Sequence, residues 1–130
     1  MDRQEIVRDI QSHLSYDREL KAACLDIFNY LLQEDPNDLE YITIKNLQDI
    51  ANADLNIIYN AINYLTAENK PLLSIGYEYI NHDECYQLSP DEVTTIQNGE
   101  PFYHNGYLLK EWKSKVFIYF HASDLLKELD

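Results

Sequence analysis

Apolar residues in the first third of the chain recur every three or four positions, which is the spacing of one face of an α-helix. Ile6, Ile10 and Leu14 are four residues apart and predict a short helix at the start of the chain. A second helix follows, with N-cap residues available at Ser15 and Asp17. Its apolar face has the same period and comprises Leu20, Cys24, Ile27, Phe28, Leu31 and Leu32.

Two more helices are predicted in the middle of the chain. Pro36, in the acidic loop 33–38, ends the second helix because proline cannot continue one. A minimal β-strand at residues 41–44 leads into a helix capped by Thr43, and a tight polar turn then starts another helix with Asp54 at its N-cap. The inward positions of these two helices are Leu47, Ile50, Ile57, Ile58, Ala61, Ile62 and Leu65.

From residue 72 the pattern changes to alternation, which is typical of a half-buried β-strand. A turn at residues 81–83 and a second short run at residues 85–88 complete the pattern of a β-hairpin. The residues that this alternation places on one face of the first strand are Leu73, Ile75, Tyr77 and Tyr79.

The last third of the chain contains one sharp helix signal. Residues 89–92 supply serine at the N-cap, proline at the first helical position and glutamate three residues after the cap. This helix is expected to end at Gly99, with an irregular stretch at residues 101–106 and a helical turn at the C-terminus. Val116–Phe120 predicts a strand that is apolar on both faces, and such a strand needs cover on both. Either it joins the hairpin under the terminal helix, or it forms a homodimer or partner interface.

The composition makes the chain an acidic folded protein. It has 130 residues, of which 23 are acidic and 10 are basic, so the formal net charge is −13. Hydrophobic residues make up 45%, which is enough to bury a core. No stretch approaches the ~20 apolar residues of a membrane-spanning helix, and the first residues lack the apolar core of a signal peptide. Cys24 and Cys85 are too few for a disulfide framework, so a cytoplasmic location is expected.

The order of the predicted elements over residues 17–88 resembles the winged helix-turn-helix superfamily. Residues 42–51, ITIKNLQDIA, are similar to that family's strand and second helix. The turn at residues 52–54 and the helix at 57–65 match the position of its recognition helix, and residues 86–90 are similar to the exit from its wing. The resemblance implies an α+β fold with a winged-helix core, made of three helices and a β-hairpin wing.

We therefore predict a single α+β domain over residues 1–130. Residues 17–88 form its winged-helix core, preceded by an extra N-terminal helix, and residues 89–130 form a β-containing C-terminal extension. The core pattern rests mainly on hydrophobic spacing, which specifies a fold better than it specifies a function.

The family resemblance suggests where a DNA-binding function would lie. In DNA-binding members the third helix enters the major groove and the wing contacts the backbone. The residues at the corresponding positions are Asn56, Tyr59, Asn60 and Asn63, with Lys45 and Lys70 as the nearest cations. Asparagine can read adenine edges, but phosphate contacts normally supply half to two-thirds of the hydrogen bonds in such interfaces. Residues 54–69 contain no lysine or arginine, which disfavours nucleic acid.

The same helix face favours a protein partner. Tyrosine and asparagine supply amphipathic contact area at low entropy cost, and acidic groups steer a basic partner toward the surface. The expected partner-binding residues are Asn56, Tyr59, Asn60 and Asn63 together with the acidic cluster Glu34, Asp35, Asp38 and Glu40. We expect a non-enzymatic protein–protein interaction module that engages a basic protein surface. The alternatives are a DNA-binding regulator acting as a dimer and, third, a nucleic-acid mimic that blocks a DNA-binding protein.

No motif for catalysis or for a cofactor emerges. The chain has no glycine-rich phosphate loop, nucleophile elbow or catalytic cysteine signature, so we expect no catalytic residues and no cofactor. A zinc site needs four converging ligands. His82 and Cys85 are the one closely spaced pair, and His104 and His121 are isolated, so we expect no metal. Whether these four residues converge stays open, and the two cysteines are expected to be buried small hydrophobes.

Overall fold

The α+β class is confirmed in a computed structural model of the chain, which describes residues 2–67, 71–81, 84–100, 103–104, 107–108 and 115–129. The described residues contain six α-helices, a short 3-10 helix and five β-strands. The helices are α1 (Arg3–His13), α2 (Arg18–Gln33), α3 (Ile44–Ala51), α4 (Leu55–Leu65), α5 (Pro90–Gln97) and α6 (Asp124–Lys127), and the 3-10 helix is Pro36–Leu39. The strands are β1 (Leu73–Asn81), β2 (Glu84–Gln87), β3 (Tyr103–His104), β4 (Tyr107–Leu108) and β5 (Val116–Ala122).

The chain divides into two compact units. Unit 1 comprises the chain up to Ile75 and the segment from Phe120 onward, and unit 2 is Gly76–Tyr119. The predicted limit between core and extension, at residues 88 and 89, falls inside unit 2. The prediction of one domain over the whole chain stays a prediction.

Unit 1 is built from amphipathic helices with side-chain caps. The Asp2 and Asp17 carboxylates accept hydrogen bonds from backbone N–H groups in the first turns of α1 and α2. At α3, Thr43 and Asn46 form a capping box in which each side chain accepts from the other residue's backbone N–H. The predicted inward residues of these helices are buried, except that Leu32, Ile50 and Ile57 are half-buried.

Two details of unit 1 differ from the prediction. The loop after α2 contains a turn of 3-10 helix, started by the Asp35 carboxylate, which accepts from the Asn37 backbone N–H at 2.9 Å. The predicted strand at residues 41–44 is reduced to a single bridge, in which Ile42 and Phe120 exchange two backbone hydrogen bonds. The Thr43 cap explains the difference, because α3 starts directly after it and leaves one residue to pair.

In unit 2 the predicted hairpin is confirmed. Strands β1 and β2 are antiparallel, with Tyr79 opposite Tyr86 and Ile80 opposite Cys85, and the sheet has the strand order β2-β1-β5. Burial along the predicted face of β1 is not uniform: Leu73 and Tyr79 are buried, whereas Ile75, at the limit of unit 1, is 43% exposed. Glu78 and Tyr79 are consecutive and both buried, so both faces of the strand are covered at that point. A central strand is buried wherever neighbours cover it, which one alternating pattern does not describe.

The C-terminal third is confirmed in part. Helix α5 begins at the predicted capping box, in which Ser89 and Glu92 each accept from the other's backbone N–H. The stretch expected to be irregular, residues 101–106, contains β3, which pairs antiparallel with β4 directly after it. Strand β5 joins the three-stranded sheet, which is one of the two alternatives left open by the sequence, yet Phe117 and Ile118 are exposed, so its apolar side chains are not all covered.

Candidate interaction surface

The exposed face of α4 is the surface on which most of the predicted site residues lie. Asn56, Asn60 and Asn63 are exposed, and Tyr59 is 47% exposed. Leu55, which was not among the predicted site residues, adds an aliphatic side chain that is 41% exposed. Leu55, Tyr59 and Asn63 are four residues apart, and so are Asn56 and Asn60, so the five side chains form two adjacent rows. We call these five residues the α4 face.

The α4 face is uncharged, because residues 55–65 contain no acidic, basic or histidine side chain. The opposite side of the helix fixes its position, since Ile58, Ala61 and Leu65 are buried in the core of unit 1. A net charge of −13 makes a neutral exposed face unusual on this molecule. The sequence alone showed the missing cations, but it did not show that the face is open to solvent.

Carboxylates border the start of α4. Asp54 occupies its N-cap position, but the side chain makes no capping hydrogen bond. Beside it lies a depression of about 310 Å³ between the start of α2 and the turn from α3 to α4. Glu19, Asn52 and Asp54 are its polar lining residues. Negative charge therefore lies at the N-terminal edge of the α4 face and not on it.

The predicted acidic cluster gathers around the end of α2. Glu34, Asp35, Asp38 and Glu40 are all exposed. The pKa of Tyr30 is raised, first by partial burial and then by the charges of Glu34 and Asp38, which places both carboxylates near one phenol. The Asp35 carboxylate already accepts the capping hydrogen bond of the 3-10 helix, and the Glu40 carboxylate lies 3.8 Å from the Lys127 ammonium. The four acids thus share one region, but two of them already have local partners.

Of the two cations of the DNA-binding alternative, only Lys45 lies in the described part of the chain. Lys45 is exposed in the first turn of α3. Lys70 lies outside the described residues. Helix α4 itself contains no lysine or arginine.

The cysteines and histidines considered for a metal have different surroundings. Cys24 is fully buried as predicted, and burial raises the pKa of its thiol to about 12. The same prediction is wrong for Cys85, which is exposed because it lies on β2 at the edge of the sheet. Its thiol donates to the Glu78 carboxylate at 3.7 Å, and its pKa is raised by desolvation and by that carboxylate.

Of the histidines in that set, His121 is half-buried, with Nδ1 3.3 Å from the Ala122 carbonyl oxygen. His82 and the side chain of His104 lie outside the described part of the structure. Within the described residues, no group of three or more histidine, cysteine or acidic side chains could hold a metal ion.

A small pocket between α1 and α4 was not predicted. It has a volume of about 200 Å³ and apolar walls that include Ile6, Ile10 and Leu72. At its rim His13 Nδ1 lies 3.1 Å from the Tyr64 hydroxyl, and the two rings meet edge to face at 6.1 Å. These residues are 51 positions apart, so no local sequence signal could have paired them.

No helix among the described residues is both long enough and apolar enough to cross a membrane. Comparison of the chain with protein-family models, with curated proteins and with solved structures finds no match.

Proposed function

We propose that this chain is a non-enzymatic protein–protein interaction module that binds its partner through the α4 face. The observation that carries this proposal is an exposed, uncharged helix face on a protein of net charge −13. The order α2, α3, α4, β1, β2 supports a winged-helix arrangement, with α4 at the recognition-helix position. We also propose a cytoplasmic location, because both cysteines are free.

The chemistry of the α4 face suits a protein more than a nucleic acid. Tyr59 and Leu55 offer apolar area that water contacts in the free protein, and burying such area is the main driving force of association. The asparagines add hydrogen-bonding groups that adapt to a partner surface. Tyrosine is enriched at the energetic centres of protein interfaces, whereas duplex binding needs lysine and arginine for the phosphates.

A basic rim on the partner follows from the charges around the face. Asp54 is at the N-cap position of α4, and Glu19 of α2 lines the same depression, so carboxylates border this edge of the face. The acidic cluster at the end of α2 adds negative charge elsewhere on unit 1. Such charges raise the association rate more than the affinity. The partner is therefore expected to have an apolar or aromatic centre with lysine or arginine around it.

Affinity capture from the native host tests this proposal with three baits. The baits are the natural chain, the double variant Leu55→Ala with Tyr59→Ala, and the control Tyr16→Ala, which removes a tyrosine that is 77% exposed outside α4. The natural chain and the control should retain the same protein, and the double variant should lose it. With the purified partner, the double variant should bind at least about 30-fold more weakly, as expected when hot-spot side chains are removed. Equal retention by all three baits would refute the role of α4.

A DNA titration separates this proposal from the regulator alternative. Fluorescence anisotropy with duplex DNA in low salt should show no submicromolar binding. Tight binding to a defined duplex that is lost in Asn60→Ala would overturn the proposal and favour base reading by α4. In that case Lys45→Glu should also abolish binding, and the protein should be a dimer in size-exclusion chromatography with mass detection.

A further inference from the structure

A shallow groove between α1 and α2 lies away from the residues of the α4 face. Its volume is about 470 Å³, and it opens broadly to solvent. Val7 and Leu32 are half-buried and, with Phe28, supply its apolar lining. Arg3 and Arg8 line the same groove. The charged side chains that line this groove are therefore both positive, although the net charge of the chain is −13.

Helix geometry places Val7 between the two arginines. With 3.6 residues per turn, Val7 is rotated about 40° from Arg3, and Arg8 is rotated about 140° in the same direction. The acidic residues of α1 point elsewhere, since Glu5 and Asp9 are rotated about 200° and 240° from Arg3. The groove side of α1 is therefore cationic and apolar, and its carboxylates lie on another side.

Neither arginine has a charged partner among the described residues. Both are exposed, and no described residue forms an ion pair or a hydrogen bond with either guanidinium group. Glu34 shares a neighbouring cleft of about 200 Å³ with Arg3, but the two groups do not form an ion pair there. Both guanidinium groups are available to an external carboxylate, which arginine binds in a bidentate geometry.

We propose that this groove docks an acidic amphipathic segment of a partner protein. An apolar side chain of the segment packs on Val7 and Leu32, and carboxylates on its two sides pair with Arg3 and Arg8. The arginines are five residues apart on α1, which corresponds to about 7.5 Å along the helix axis. Acidic residues four or five positions apart on a helical segment, or two apart on an extended one, span a similar distance.

The net charge of −13 does not prevent this docking. At physiological ionic strength charges are screened over about 8 Å, so the two nearby arginines outweigh distant carboxylates. The proposal is independent of the α4 face, since the two surfaces share no residue.

A displayed library of random peptides provides the probe. The library is selected on the natural chain, and enriched peptides are then measured against two variants of equal charge change. These are Arg3→Glu with Arg8→Glu, and the control Arg18→Glu with Lys45→Glu, whose positions are exposed outside the groove. We expect enriched peptides with Asp or Glu on both sides of an apolar residue. The groove variant should bind them at least about tenfold more weakly, and the control should be nearly unchanged.

Reversing the charges on both the peptide and the groove shows whether weaker binding by the groove variant results from misfolding. Peptides in which lysine replaces the flanking acids should bind the groove variant better than they bind the natural chain, and a misfolded variant would not show this gain. Enriched peptides without flanking acids, or equal weakening in both variants, would overturn the proposal. A concentration-dependent dimer abolished only by the groove variant would also overturn it, because the occupant would then be a second copy.

Discussion

Units 1 and 2 bury their side chains in different ways. In unit 1 the core is mostly aliphatic and comes mainly from α1 to α4, and many of its side chains have almost no exposure. In unit 2 the buried residues include two tyrosines and a glutamate, whereas Ile80, Phe117 and Ile118 remain exposed. The buried face of a long amphipathic helix can therefore be predicted from its own sequence, whereas the burial of side chains on a short strand depends on the elements that cover it.

Aromatic contacts take the place of aliphatic packing in unit 2. Tyr79 and Tyr86 stack with ring centroids 5.5 Å apart and planes 8° from parallel. Tyr119 lies against the backbone of Gly76, where an added Cβ would be 2.6 Å from two of its ring carbons. Gly76 is therefore required by the close approach of a ring. Contacts of this kind cannot be predicted from the alternation of apolar and polar residues along a strand.

Removing one aromatic side chain from each unit should give the largest contrast. Phe28 is fully buried in unit 1, so Phe28→Ala should lower the free energy of unfolding by about 3–5 kcal/mol. Phe117 is 48% exposed in unit 2, and Phe117→Ala should cost about 1 kcal/mol or less. Urea denaturation followed by circular dichroism measures both. Similar losses in the two variants would contradict the difference in packing.

A methyl group at Gly76 tests the aromatic packing of unit 2. Gly76→Ala forces the Tyr119 ring to move, and we expect a loss of about 1–3 kcal/mol, the usual cost of overpacking. Hydrogen exchange read at β1 and β2 should report the loss. The control Gly99→Ala adds a Cβ in open space, although it places alanine at a φ of +73°. Unchanged protection in Gly76→Ala would show that the ring has room to shift.

The two cysteines extend the comparison to alkaline pH. Burial raises the pKa of Cys24 from 9.0 to about 12, so its thiol stays protonated in the folded chain and ionises after unfolding. The unfolded state then binds fewer protons, so stability is full below about pH 9 and falls as the pH rises toward 12. The expected slope is about 1.4 kcal/mol per pH unit.

Cys24→Ala isolates this contribution. The raised pKa of Tyr30 acts in the same direction at higher pH, so the measured quantity is the difference in slope between the variant and the natural chain. The variant should lose most of the decline just above pH 9. In the folded natural chain, iodoacetamide should alkylate the exposed Cys85 and spare Cys24, which mass spectrometry resolves. Early alkylation of Cys24 would mean that unit 1 opens locally.

The smallest expected effect compares the two capping boxes. Thr43→Ala at α3 in unit 1 and Ser89→Ala at α5 in unit 2 each remove one side-chain acceptor. Each should cost about 1 kcal/mol, with hydrogen exchange increased mainly in the first turn of the affected helix. The matched control is the conservative substitution Thr43→Ser, which retains the hydroxyl. A loss well above this value would indicate that the cap also holds neighbouring structure.

Much of unit 1 could be predicted from the sequence because local signals and the hydrophobic period agree there. Asp17 and Thr43 were identified as caps from residue type and spacing, and the same signal identified Ser89 in unit 2. The exposure of Ile75 and Cys85 could not be predicted in this way, since it depends on which strand or helix covers each position. The pairing of β3 with β4 was missed because two-residue strands lack a recognisable period.

Of the two candidate surfaces, the one on a single helix could be predicted from the sequence, and the one between two helices could not. Tyr59 and its asparagines were found because α4 has a strong helical period, whereas Leu55, at the first helical position, was assigned neither to the core nor to the surface. The groove with Arg3 and Arg8 was missed because it needs two helices side by side. Isolated arginines on α1 look like ordinary solvated charges until the apolar floor beside them is known.

The neutral α4 face also has a consequence for the colloidal behaviour of the protein. At neutral pH the large negative charge keeps copies apart and limits sticking through Leu55 and Tyr59. Near the isoelectric point of about 4.5 this repulsion disappears, while Leu55 and Tyr59 stay exposed on an uncharged face. Acidification should therefore make the solution turbid before the helices melt, and a polar residue at position 59 should delay the onset of turbidity.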